Sequence, residues 1–251
     1  MKTLVRKVVG SLTAVILLGA LVAAETGSAG RYDASIQQKV TQRLSEKKQF
    51  RNITARVEDG IVTLRGTVNL YQDKLDAAKW AKKVEHAAGV RNLIEVAGST
   101  VPDDELQAKL SKKLAYDRVG YYDNMFDHFT LSVKDGVATV GGETLYSVPR
   151  DEALAIVQRM PGVKDVVSNI TVLPVSPFDD SIRLRVARLI YNDSELGKYA
   201  MDPARPIRII VDRGKVSLYG AVDSQMDKQI AGMRANEAFG AFSVENHLTV
   251  D

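Results

Sequence analysis

The sequence contains no cysteine. That excludes disulfides, Cys-ligated zinc, iron–sulfur clusters, a thiol nucleophile and a lipid anchor on an N-terminal cysteine. Histidine is almost as scarce. His86, His128 and His247 are the only three, and none has another histidine four residues on. Such spacing describes surface or half-buried imidazoles rather than metal ligands. Walker loops, G-x-G-x-x-G turns and G-x-S-x-G elbows are absent as well. With no nucleophile, base or metal constellation, the chain is expected to be non-enzymatic and to hold no cofactor or metal. The acidic clusters Asp103-Asp104-Glu105 and Asp179-Asp180 fall at helix starts, where carboxylates complement the helix dipole. Wholesale disorder is excluded too, because 45% of the residues are hydrophobic.

What is present begins with a targeting segment. Lys2, Arg6 and Lys7 precede the uncharged run Val8–Val22, and small residues follow. This is the pattern of a secretory signal peptide over residues 1–24, with cleavage before Glu25 at Val22-Ala-Ala24. A second site, Gly27-Ser-Ala29, would cut before Gly30. The alternative is an uncleaved inner-membrane anchor, for which the uncharged stretch is at the short limit. Either way the remainder is expected outside the cytoplasm, in the periplasm. The whole chain carries 34 basic and 31 acidic side chains, a formal net charge of +3. The three leader cations account for all of that excess.

The mature chain repeats itself. Val57-Glu-Asp-Gly-Ile-Val-Thr-Leu-Arg-Gly66, Val133-Lys-Asp-Gly-Val-Ala-Thr-Val-Gly-Gly142 and Val211-Asp-Arg-Gly-Lys-Val-Ser-Leu-Tyr-Gly220 share one punctuation. Gly89, Gly162 and Gly240 recur near the end of each unit. Each unit reads helix, strand, strand, helix, strand. Ile36, Val40 and Leu44 mark one face of a first helix, with Asp33 as its N-cap. Leu106, Leu110 and Leu114, then Ile182, Val186 and Leu189, do the same in the later units. Asp59-Gly60 marks a tight hairpin, since glycine supplies the positive φ that the turn requires. Ala77, Trp80, Ala81, Val84 and Ala88 line a second helix in the first unit, and Met226, Ile230 and Met233 in the third. The fold class is therefore α+β: three tandem α-β-β-α-β domains, each a three-stranded sheet with two helices on one face. The boundaries expected are 33–98, 102–173 and 179–251, with linkers at Gly98–Pro102 and Pro174–Pro177. Units of this size gain stability by packing on a neighbour.

The hairpin pattern V-x-D-G-x-V-x-L-x-G-x-V and the closing strand G-V-x-x-V-x-N-x-I-x-V resemble the BON domain, named for bacterial osmotic-stress and nodulation proteins. The resemblance covers nearly the whole mature chain in three copies. Arg213 replaces the hairpin Asp in the third copy, and the first reads as having a shortened last strand. The later copies insert longer stretches between first helix and first strand. The resemblance implies exported, non-enzymatic modules associated with osmotic and envelope stress, some of which bind anionic phospholipid.

Charge is uneven among the units. Residues 33–97 hold 12 basic and 8 acidic side chains, residues 103–173 hold 8 and 11, and residues 179–251 hold 10 and 11. The positive excess is thus in repeat 1, where Lys79, Lys82 and Lys83 lie opposite the Trp80/Val84 face with Leu75 among them. These four are the candidate lipid-binding residues, against the alternative of a solvated helix face. Repeat 2 crowds Tyr116, Tyr121, Tyr122, Phe126 and Phe129 into its insertion. Tyr121, Tyr122 and Phe126 are candidates for docking a partner, glycan or lipid; the alternative is a plug between repeats. The insertion Asn192–Pro206 of repeat 3 reads as a surface loop. Two functions remain: an envelope module contacting anionic phospholipid or another envelope component, or a protein-interaction or chaperone-like scaffold. Nucleic acid is not an expected partner, given export and a neutral mature chain.

Overall fold

The structure is a computed structural model that describes residues 30–116, 124–202 and 205–251. The expected signal peptide, residues 1–24, and Tyr121 and Tyr122 lie outside the described residues. Repeat 1 runs α1 (Asp33–Ser45), β1 (Ile53–Glu58), β2 (Ile61–Val68), α2 (Tyr71–Lys82) and β3 (Gly89–Val96). Repeat 2 runs α3 (Asp103–Tyr116), β4 (His128–Lys134), β5 (Val137–Thr144), α4 (Ser147–Gln158) and β6 (Asp165–Val172). Repeat 3 runs α5 (Pro177–Tyr191), a one-turn α6 (Lys198–Met201), β7 (Arg208–Asp212), β8 (Lys215–Tyr219), β9 (Ala221–Val222), α7 (Gln225–Asn236), β10 (Ser243–Asn246) and β11 (Thr249–Val250).

Each repeat carries a three-stranded sheet with its second strand in the middle. The first two strands form an antiparallel hairpin, whereas the last runs parallel to the second, as β6 does beside β5 and β10 beside β8. A parallel neighbour needs a crossover, and the second helix supplies it. In repeat 3, Gly220 splits the second strand, so that β9 pairs separately with β11.

One carboxylate per repeat ties the first helix to the hairpin. Asp33 accepts hydrogen bonds from the Asp59 and Gly60 amides at 2.9 and 2.8 Å. Asp103 accepts from Asp135 and Gly136, and Asp179 from Arg213 and Gly214. Asp33 is therefore not the N-cap; that position is Tyr32, without a side-chain cap. Both turn residues have positive φ, 49° and 75° at Asp59-Gly60, as a type I′ turn requires. Arg213 accepts the same left-handed geometry, at φ 50°, without the small polar side chain that eases it.

The structure corrects four further readings of the sequence. The helix-ending position occupied by Gly162 and Gly240 is His86 in repeat 1, also at positive φ, while Gly89 opens β3. The last strand of repeat 1 is not shortened, since β3 and β6 both have eight residues. Met226 and Met233 are exposed, and Ala231 and Ala235 form the apolar core face of α7 instead. The insertion of repeat 3 is no mere surface loop: Leu196 and Tyr199 are buried in its core. Tyr199 donates to Asp227 at 2.6 Å and accepts from the Asp223 amide at 2.7 Å, which satisfies its buried hydroxyl.

By internal contacts the chain divides into two compact units. One is the described part of Met1–Gly66 with Ala77–Leu93; the other is Thr67–Asp76 with Ile94–Asp251. Within the second, Tyr71 packs against the core of repeat 2. Burial there, with the Asp165 carboxylate beside it, pushes the Tyr71 phenol up to about 12. Repeats 2 and 3 interlock more deeply. The turn Asn124–Phe126 places Phe126 in the core cluster of repeat 3, with Met125 and Leu145 packed alongside. The Arg183 guanidinium lies 5.9 Å from the Phe126 ring, and Arg208 donates to the Asp127 carbonyl at 3.1 Å.

Candidate functional site

In repeat 1 the first and second helices frame a groove of about 410 Å³. Lys39, Gln42, Arg43 and Glu46 of the first-helix side face Trp80 and Lys83 across it. Trp80 is half-buried, and Lys47 brings its ammonium to 5.3 Å from the ring centroid. A cation held over an indole face is attracted by the ring quadrupole. Lys39 pairs with Glu85 at 3.1 Å, and that hydrogen bond holds the Glu85 carboxyl below the usual carboxylate range.

Lys79, Lys82 and Lys83 are all exposed, and among the described residues none of them has an ionic partner. Lys83 joins the groove, whereas Lys79 and Lys82 are not among its lining residues. Leu75, expected to stand out among the lysines, is half-buried. Sequence reasoning missed Lys39, Arg43 and Lys47 because it weighed the second helix alone. The available signal was their spacing on the polar side of the Ile36/Val40/Leu44 stripe.

The groove recurs in repeat 2. Lys109, Lys112 and Lys113 surround Tyr116 and Met160 in a cavity of about 370 Å³. Counted from the clamping aspartates Asp33 and Asp103, Lys109 and Lys113 occupy the positions of Lys39 and Arg43. Repeat 3 has Arg185 and Arg188 on the same helix face, and Arg234 in the place of Trp80. Two of these cations are engaged internally: Arg234 pairs with Asp193 and Glu237, and Arg185 donates to the Phe239 carbonyl. Phe126 is 8% exposed and occupied within the chain, as described above. No group of three or more potential metal-ligating side chains occurs among the described residues.

The BON domain pattern matches residues 32–98, 102–174 and 179–251. The chain belongs to the BON domain family. The BON chain is similar to an Anaplasma centrale protein described as an uncharacterized protein in gshII 5'region, 26% identical over 138 residues, covering 54% of this chain and 91% of that one. Among solved structures, CdsD, a structural protein of the type III secretion system of Chlamydia trachomatis, aligns at TM-score 0.24 and 10% identity. That alignment covers 86% of this chain and 92% of CdsD. The PrgH periplasmic domain aligns at TM-score 0.22 and 11% identity, over 80% and 96%. Likenesses at that level carry no functional weight. Among the described residues, no helix of the BON chain is long and apolar enough to cross a membrane.

All three histidines sit in stacks. His86 stacks on Tyr32 with centroids 4.0 Å apart. His128 of BON repeat 2 stacks on Tyr219 of repeat 3 at 3.8 Å, and His247 stacks on Tyr219 at 5.0 Å. Burial, then the charges of Arg208 and His247, lower the His128 imidazole to about 4. Its folded value lies below its unfolded one, so protonation favours the unfolded state. Stability is therefore full above about pH 6.5 and falls as pH drops toward 4. With allowance for a partly solvated ring, the loss is on the order of 1–2 kcal/mol. Glu143, opposite His128 in the hairpin register, is raised by burial and opposes the trend. Thermal unfolding of wild type and His128→Phe at pH 7.5 and 4.5 separates the two groups. The variant is expected to lose less stability in acid; an equal loss would remove His128 as the cause.

Proposed function

We propose that this chain is a non-enzymatic, exported module of the cell envelope that holds anionic phospholipid headgroups, in the setting of envelope or osmotic stress. Membership of the BON family, a family of generally non-catalytic binding domains, and the N-terminal leader support the class and the compartment. The observation that carries the ligand is the two-helix groove of repeat 1, with lysines and an arginine around a half-buried indole. Indole at a headgroup boundary and cations toward phosphate are the two elements an anionic interface rewards. Lys79, Lys82 and Lys83 extend the positive face, and repeat 2 offers a second, similar groove.

Each lysine near an anionic surface contributes about 1 kcal/mol. Replacing Lys79, Lys82 and Lys83 together by glutamine is therefore expected to weaken binding to phosphatidylglycerol vesicles roughly 100-fold. Wild-type binding should also fall with salt, because exposed charges are screened. Vesicles of phosphatidylcholine alone and isolated peptidoglycan serve as the comparison surfaces. Undiminished binding of the triple variant to the anionic vesicles would remove this face from the reading.

A further inference from the structure

Repeats 1 and 3 differ at one edge. Counted from the Asp33 and Asp179 clamps and from the hairpins, Gln37, Thr41, Leu44 and Ser45 correspond to Arg183, Ala187, Ile190 and Tyr191. Ile53, Thr54 and Ala55 correspond to Ile207, Arg208 and Ile209. In repeat 3 this helix–strand edge is covered by the aromatic turn of repeat 2, through Met125, Phe126 and the Asp127 carbonyl. In repeat 1 the same edge is an open groove of about 450 Å³ between α1 and β1, with Leu44, Phe50 and Ile53 in its floor. The edge thus receives an aromatic turn in repeat 3, and no described residue outside repeat 1 lines its counterpart there.

Repeat 3 carries an aromatic turn that stands exposed among the described residues. Phe239 is 83% exposed, Phe242 77% and Phe178 48%. The Phe242 ring lies 5.9 Å from that of Phe178, and Arg185 stands 5.6 Å from the Phe239 ring. The fold does not require aromatics here. The amides of Ala88, Lys164 and Phe242 make the same hydrogen bond to the hairpin glycine carbonyls of Gly60, Gly136 and Gly214, which fixes the correspondence. At the positions of Phe239 and Phe242, repeat 1 has Glu85 and Ala88, and repeat 2 has Pro161 and Lys164. Only repeat 3 presents a phenylalanine pair, at a cost in exposed apolar surface that a monomer has no reason to bear.

We propose that the Phe239–Phe242 turn of one copy seats in the α1/β1 groove of repeat 1 of a second copy. The contact joins unlike surfaces, so it repeats from copy to copy and gives either a ring or an open chain. The pairing copies a joint the chain already makes, in which the equivalent helix–strand edge of repeat 3 takes Phe126 from repeat 2. The contact uses a different edge of repeat 1 from the two-helix groove and does not depend on lipid binding.

Sedimentation velocity of the purified chain tests it, using two variants at exposed positions with circular dichroism as the check on folding. Phe239→Ser with Phe242→Ser removes the aromatic turn; Thr41→Trp fills the groove, and Ser45→Trp replaces it if Thr41→Trp misfolds. Wild type is expected to grow in mass with concentration, to a fixed ring or to an open series of chains. Each variant alone should stay monomeric. An equimolar mixture should form dimers only, because it restores one intact turn facing one intact groove. A wild-type chain that is monomeric up to about 1 mM overturns the proposal. So does association that survives both variants, or a monomer whose phenylalanines are needed only for binding phosphatidylcholine vesicles.

Discussion

Replacing Phe126 by alanine is expected to cost about 3–5 kcal/mol and to uncouple repeats 2 and 3 in unfolding. Phe126 belongs to repeat 2 by sequence and to repeat 3 by burial. Its loss would leave a void lined by apolar side chains of repeat 3. It would also uncover Arg183, a guanidinium that is 3% exposed and already has an unpartnered Nε. Arg183 keeps its bonds to Asp180 and to the Val211 carbonyl, so the damage falls on packing and desolvation rather than on the ion pair. Wild type should show one transition for repeats 2 and 3 in urea, and the variant two, with the earlier belonging to the less stable repeat. Tyr116→Ala is the control: its ring is 60% exposed, and surface changes stay within about 0.5 kcal/mol. A single, unshifted transition in Phe126→Ala would show that the two repeats are coupled by something else.

The sequence made the repeat unit legible because period and punctuation have strong local causes. The hairpin glycines need positive φ, and the stripe Leu106/Leu110/Leu114 needs one buried face; all three leucines are buried. Where small or polar residues do the structural work, pattern reading failed. The alanine face of α7 carries too little hydrophobicity to outvote Met226 and Met233. His86 hides a left-handed helix end because it is not glycine. The aspartate clamps bridge 26 or more residues of chain, so no local window contains both partners.

The site was legible to the same degree. Net charge per repeat pointed to repeat 1 and away from repeat 2, yet repeat 2 carries its own lysine groove within a net negative domain. A sum over a domain erases the separation of its faces, and the face is what a surface meets. The aromatic cluster of repeat 2 was similarly ambiguous. Composition showed that five rings needed an explanation, but only the fold could show that Phe126 finds its core in the next repeat.

Gly142→Ala is expected to be about as damaging as the loss of Phe126, for a backbone reason. Gly142 has φ 113°, a region closed to side chains, and a Cβ there would stand 2.0 Å from the His128 carbonyl oxygen. Backbone on both sides leaves no flexible neighbour to yield. The cost is about 3 kcal/mol or more. Gly66 in repeat 1 repeats the geometry, with φ 124° and 1.9 Å to the Asn52 carbonyl oxygen. Gly220 in repeat 3 is looser, at 2.9 Å from the Pro206 oxygen, so Gly220→Ala should cost least of the three. The substitution at Gly142 has a further consequence that the one at Gly66 lacks. It pushes on the strand residue whose imidazole stacks on Tyr219, so it strains the joint between repeats 2 and 3 as well as the hairpin. Near-ultraviolet circular dichroism of the tyrosine band should therefore change in folded Gly142→Ala and remain native-like in folded Gly66→Ala. Equal spectra with unequal stabilities would confine the effect of Gly142 to its own hairpin.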